Sequence, residues 1–237
     1  MSNEYFQFKQ FRLQQDRCAM KVSTDACIQG AWTPICDNAN RVLDIGTGTG
    51  LLSLMTAQRH PFATIDAIEL DEQAALQASD NIAHSPYADR INVSNIDIRI
   101  FSSYDKYDLI ICNPPFFQNS LLGDTQERNI ARHTLTLQYI DIIHAFERLL
   151  HPNAYASVLL PYNAQKQWEQ LLVNEAWNVF HRLVVKHRAG NTPTRVISLC
   201  SKGPQGDCIE EDLTIKGVSE EYTTDFAQLL CPFYLHL

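Results

Sequence analysis

The chain is short of basic residues: 19 Lys+Arg stand against 27 Asp+Glu, a formal charge of −8 over 237 residues. A protein coated in positive charge is thereby excluded, and any nucleic-acid partner has to be met by a local patch. The apolar runs fall far below the ~20 residues that span a bilayer, and the opening MSNEYFQFKQF is unlike a secretory leader. The seven cysteines (Cys18, Cys27, Cys36, Cys112, Cys200, Cys208 and Cys231) form no C-x-x-C pair and have no histidine at zinc-like spacing. An odd count without a leader reads as reduced thiols in a cytoplasmic protein that holds no metal. Nine Gly, ten Pro and 10% aromatics exclude collagen-like and disordered chains. Repeats, low-complexity tracts and linkers are also missing, and the length suits one large α/β domain.

What is present, from Arg41 onward, is a strand–helix rhythm. RVLDIG, ATIDAIEL, INVSNI, YDLIICN and AYASVLLP read as strands. LLSLMTAQRH, the segment through Ala74 to Ile82, and HTLTLQYIDIIHAFERLL carry apolar residues at helical spacing. Such alternation implies a mostly parallel sheet covered on both faces. After a helix around 168–173, NVFHRLVVK and RVISLCS lie close together across a polar loop and predict an antiparallel hairpin at one edge. The expected architecture is Rossmann-like, with seven strands, the last pair antiparallel. DLTIKG and the segment after it read as a strand remnant and a short packed helix.

VLDIGTGTG sets Gly46, Gly48 and Gly50 between a strand and a helix. Glycines there allow a tight turn and close approach of backbone to ligand. The dinucleotide fingerprint would need a third glycine where Leu51 stands. Asp44 beside the loop repels a pyrophosphate and attracts a sulfonium or ammonium group. Glu69, at the tip of the second strand and about 20 residues past the loop, can take both hydroxyls of a ribose. Asp97 is placed to accept from an adenine amino group. Together these fit S-adenosylmethionine better than NAD. A plain turn is the bland alternative for the loop alone.

The fourth strand ends DLIICNPPFFQNS. Two prolines stop the ladder and stiffen the chain, holding Asn113 at the carboxyl end of the sheet where open α/β folds bind ligands. A planar NH₂ group is a poor nucleophile because its lone pair is delocalised. The Asn113 side-chain oxygen and the Pro114 carbonyl can accept its two hydrogens and aim the lone pair at a methyl donor, with no obligatory base. Pro115 stiffens the loop, Phe116 offers a stacking face, and Phe117 extends the wall. A rigid turn with core aromatics is the bland reading of the motif taken alone.

DIGTGTG, IELD and NPPFF together resemble class I S-adenosylmethionine-dependent methyltransferases acting on exocyclic or amide nitrogens. KVSTDACIQGAW and the ending CPFYL narrow the resemblance to the bacterial tRNA1(Val) adenine-N6 methyltransferases, over nearly the whole chain. That resemblance implies methylation of adenine 37 beside the anticodon, by a monomer without metal or membrane association. It implies a methyltransferase domain over 41–237 and an extension, 1–40, packing over the cofactor and substrate face. By position, Lys21, Thr24 and Asp25 close over the cofactor, and Asp44, Gly46, Gly48 and Gly50 surround its methionine end. Glu69 holds the ribose, Asp97 the adenine, and Asn113 to Phe116 the target base. One departure is Ser23, where the family pattern has glycine. Thr24 and Asp25 also suit an ordinary helix N-cap pair.

Three basic clusters stand against the acidic background: Arg128, Arg132 and His133; Arg182, Lys186, His187, Arg188 and Arg195; and Lys9, Arg12, Arg17 and Lys21. Each can bind phosphate, with a solvated or salt-bridged surface as the plain alternative. The expected partner is a tRNA anticodon stem-loop, whose unpaired base is cheap to extrude. Guanine-N2 methylation of ribosomal RNA, glutamine N5 methylation of a protein, and a non-catalytic cofactor-binding module are the competing readings.

Overall fold

A computed structural model describes residues 4–35, 40–114, 137–203 and 206–237. Eight strands form the main sheet: β3 (Arg41–Ile45), β4 (Thr64–Glu69), β5 (Ile91–Asn95), β6 (Tyr107–Cys112), β7 (Leu150–Pro161), β8 (Trp177–Arg188), β9 (Arg195–Lys202) and β10 (Ile209–Lys216). Their order is β10-β8-β9-β7-β6-β3-β4-β5. Every pairing is parallel except those of β9, which runs antiparallel to both β7 and β8. The central strands are apolar runs because both their faces are covered. The strand order reverses between β3 and β6, which opens the crevice where such sheets hold ligands.

The expected hairpin is present as β8 and β9, but the described residues form a sheet of eight strands rather than seven. The segment read as a strand remnant is β10, which pairs in parallel with β8 outside the hairpin. Leu213 and Ile215 point into the core, while Glu210 and Asp212 reach Arg182 and Lys186 on β8. Charge pairing on one face and apolar burial on the other hold a strand whose first four residues are exposed.

Helices cover both faces. On one lie α1 (Thr24–Trp32), α2 (Leu51–Arg59), α3 (Glu72–Ala83) and α6 (Thr224–Leu230), around a core containing Ile28, Leu54, Met55, Ile82 and Phe226. On the other, α4 (Tyr139–Leu149) and α5 (Gln165–Asn174) enclose Phe146, Trp168 and Trp177. The helix expected over 133–150 begins, within the described residues, at Tyr139, where Gln138 and Asp141 form a reciprocal capping box. Leu150 already belongs to β7. α1 and α2 approach closely at Gly30, where a Cβ would stand 2.7 Å from the Met55 sulfur.

The first residues do not stand apart from this core. β1 (Tyr5–Gln7) and β2 (Arg12–Gln14) form a small antiparallel hairpin. Phe8, Phe11 and Leu13 are buried with the helices of the first face. Phe8 bridges Tyr234, and the Lys9 amide donates to the Phe233 carbonyl at 2.8 Å. The Asn81 side chain on α3 bonds both backbone groups of Gln14.

Candidate active site

The carboxyl ends of β3, β4 and β6 place Asp44, Glu69 and Asn113 on one rim, flanking the order reversal. Asp44 is fully buried. Its Oδ2 accepts from the Thr47 hydroxyl (2.6 Å), the Ser53 hydroxyl (2.7 Å) and the Ser53 amide (3.1 Å). Its Oδ1 is buried without a hydrogen-bond partner among the described residues. Burial pushes the Asp44 carboxyl up to about 6 despite those bonds, and the Glu69 charge adds to the rise.

The loop after Asp44 turns through three left-handed glycines, Gly46 (φ 69°), Gly48 (φ 56°) and Gly50 (φ 85°). A Cβ on Gly46 or Gly48 would meet nothing within 4 Å, so the backbone there faces open space. Gly50 differs: it is the N-cap of α2 and packs against Ile82. Glu69 ties the loop down, its Oε2 accepting from the Gly48 amide at 2.9 Å and its Oε1 from the Asp71 amide at 3.0 Å. Asp97 is gripped by its neighbour: the Arg99 Nε donates to Oδ2 at 2.9 Å and the Arg99 amide to Oδ1 at 2.9 Å. The Arg99 guanidinium holds the Asp97 carboxyl below the usual carboxylate range. An adenine amino group would therefore share Asp97 with Arg99.

Asn113 follows the last residue of β6. Its Oδ1 is buried with no partner among the described residues, while its Nδ2 donates to the Met20 sulfur at 3.9 Å. Met20 belongs to the segment that runs from Arg17, paired with Asp80 on α3, to the start of α1. That segment brings Lys21, which is exposed, and Thr24 toward the rim. Ser23, not Thr24 or Asp25, caps α1: its hydroxyl accepts from the Ala26 amide at 3.2 Å. Ser23 sits at φ −118° and ψ 148°, extended backbone that asks for no glycine. Asp25, in the first turn, is raised above the usual carboxylate range by burial, against the pull of Arg195.

Pro114 is described; Pro115, Phe116, Phe117, Arg128, Arg132 and His133 lie outside the described residues. Lys186 and Arg188, at the carboxyl end of β8, and Arg195, at the start of β9, share the rim of Asn113, because β8 runs parallel to β7 and β9 returns from that end. Each faces a carboxylate: Lys186 pairs with Asp212 (2.8 Å), Arg188 with Glu220, and Arg195 with Asp25 (3.1 Å). Two contributors went unmarked in the sequence, Met20 beside Asn113 and Gln29 beneath it. The only cue was a lone long polar side chain in the otherwise apolar turn ACIQGAW.

Residues 33–136 match the Methyltransferase small domain family. A Dyadobacter fermentans protein named tRNA1(Val) (adenine(37)-N6)-methyltransferase is 40% identical, over 98% of both chains. The chain belongs to that family. A Serratia proteamaculans relative of the same name is 42% identical over 97% of this chain and 89% of its own, and one from Bacteroides thetaiotaomicron is 39% identical over the full length of both. Among solved structures, an Agrobacterium tumefaciens protein described as a predicted O-methyltransferase superposes with TM-score 0.69 at 17% identity, over 88% of this chain and 96% of its own. The ribosomal protein L11 methylase of Lactobacillus delbrueckii gives 0.58 at 15% identity, over 81% and 84%. These two share the class I methyltransferase fold.

For a tRNA1(Val) methyltransferase family member of this fold, the implied methyl donor is of the S-adenosylmethionine type, and the residues present suit it. The buried Asp44 Oδ1 has no partner among the described residues, the backbone at Gly46 and Gly48 faces open space, and Glu69 lies at the end of the neighbouring strand. Among the described residues no group of three or more His, Cys, Asp or Glu could hold a metal, and no helix is long and apolar enough to cross a membrane.

Proposed function

We propose that the protein transfers a methyl group from S-adenosylmethionine to the N6 amine of adenine 37 in the anticodon loop of valine tRNA, as a cytoplasmic monomer. The observation that carries this reading is the buried Asn113 Oδ1 at the strand-order reversal, which has no partner among the described residues. It is an acceptor open to an N–H donor, just past the strand that pairs with the one leading into the acidic, glycine-lined cradle.

Asp44, Gly46 and Gly48 hold the methionine end of the donor, Glu69 the ribose and Asp97 the adenine, with Lys21, Thr24 and Asp25 closing above. Bound there, the donor supplies an electrophilic methyl on a positively charged sulfur. Asn113 Oδ1 and the Pro114 carbonyl each accept one hydrogen of the target amine. With both hydrogens held, the nitrogen lone pair points across the cleft rather than into the ring, and orientation takes the place of a base. The surplus proton leaves to solvent. Phe116, outside the described residues, is the residue this reading assigns to stack on the base.

The test is incubation with labelled S-adenosylmethionine and total RNA or total protein, followed by nucleoside analysis. N6-methyladenosine in tRNA is the expected product; label in protein glutamine or as N2-methylguanosine would refute the assignment. The rim cations give a second test. Lys186→Gln and Arg188→Gln should weaken tRNA binding and each flatten the log K against log salt slope by about one. Binding curves that overlay those of the unmodified protein would remove this hairpin from the RNA footprint. Arg195→Gln is less clean, since it leaves the half-buried Asp25 without its ion pair.

A further inference from the structure

Gln29 is fully buried in the middle of α1, where its neighbours Ala26, Cys27, Ile28, Gly30 and Ala31 are small or apolar. Its Nε2 donates to the Cys112 carbonyl (3.1 Å), the Ser157 carbonyl (3.1 Å) and the Ser157 hydroxyl (3.3 Å). Cys112 ends β6 and directly precedes Asn113; Ser157 lies on β7, the next strand. The Ser157 hydroxyl is in turn 2.7 Å from that of Thr33, at the C-cap of α1. The amide orientation is forced, because turning it over would set its oxygen against two carbonyl oxygens. The cost of that orientation is a Gln29 Oε1 left buried with no partner among the described residues. A leucine or methionine would fill the space with no stranded polar atom of its own. The amide is thus poorly explained as packing and well explained as a clamp on the peptide from which Asn113 departs.

We propose that Gln29 is a positioning residue for methyl transfer: it fixes the end of β6 so that the Asn113 amide oxygen meets the acceptor nitrogen. α1 also carries Thr24 and Asp25, so one helix sets the cofactor side and the base side of the site in register. The proposal rests on the reading that Asn113 holds the acceptor nitrogen, whichever base carries it.

The experiment is a double-mutant cycle on the full chain, using Gln29→Met, Asn113→Ala and the pair. Gln29→Met should lower kcat about 10- to 100-fold by loosening the geometry of the reacting groups, with the KM for S-adenosylmethionine unchanged. In the Asn113→Ala background the same substitution should cost nothing further, because Gln29 acts through Asn113. Gln29→Glu should recover part of the lost rate as pH falls, since a protonated carboxyl again donates to the strand carbonyls. A Gln29→Met kcat within about twofold of the unmodified enzyme, or losses that simply multiply in the double variant, would overturn the proposal. If the unmodified enzyme methylates another base, the substrate assignment fails, and the cycle is run on that acceptor with the same criteria.

Discussion

Asn113→Ala should bind S-adenosylmethionine with near-normal affinity and lose about 10²- to 10³-fold in kcat, the range seen when one oriented polar partner of a reacting group is removed. The side chain lies across the crevice from the glycine loop and hydrogen-bonds only the Met20 sulfur among the described residues, so its loss leaves the donor's cradle intact. A buried acceptor with no partner among the described residues also contributes little to folding, and removing it relieves a desolvation cost. Thermal stability should therefore hold or rise slightly while turnover collapses. Calorimetric titration with S-adenosylmethionine and a single-turnover assay on tRNA check the two halves separately. A variant with near-normal turnover would remove Asn113 from the reaction.

The second large effect concerns Asp44, with opposite signs for stability and binding. Its carboxyl titrates near 6 in the folded protein against 3.8 in its unperturbed state. The folded protein thus holds the proton more tightly than the unfolded chain. Stability from this group is complete below 3.8, declines as pH rises toward about 6, and is absent at pH 7, a difference of about 3 kcal/mol. Asp44→Asn keeps an oxygen facing Thr47 and Ser53 and removes the buried charge. At pH 7 it should raise the melting temperature by about 2–6 °C, a realised gain of one to two kcal/mol in a domain of this size. The same substitution takes away the negative partner of a cationic ligand, at a cost of about 2 kcal/mol or more in donor affinity, some 30-fold. In the unmodified protein, affinity for S-adenosylmethionine should weaken as pH drops below about 6 and Asp44 takes up its proton. Equal affinity in the asparagine variant, or a flat pH profile between 5 and 7, would remove Asp44 from the donor site.

The cradle was legible in the sequence because its signals are local. An apolar strand, three glycines and a helix follow one another between Arg41 and Arg59, and each constraint acts on its neighbours. Glu69 follows from the same rhythm one unit later. The eighth strand was harder to see: the exposed opening of IEEDLTIK resembles a solvated acidic loop, and only Leu213 and Ile215 carry the alternation of a strand. What fixes it is a set of cations on β8, a partner that spacing along one chain does not announce. The rim charges have the same origin. Lys186, Arg188 and Arg195 read as a basic cluster, yet each is answered by a carboxylate remote in the sequence or across a turn. Gln29 was invisible for a related reason, since its bonding partners lie 83 and 128 residues away. Pro115, Phe116 and the Arg128, Arg132 and His133 cluster lie outside the described residues.

The seam between the two ends of the polypeptide bears on how the protein is made. The Lys9 side chain bonds the Cys231 carbonyl across 222 positions, and Phe8 is sealed beneath Tyr234. A nascent chain can assemble the central strands and their helices as they emerge, but the contacts of Phe8 and Lys9 with positions 231–234 form only once those positions have left the ribosome. Closure of this seam, the most non-local contact in the molecule, is therefore expected among the last steps of folding.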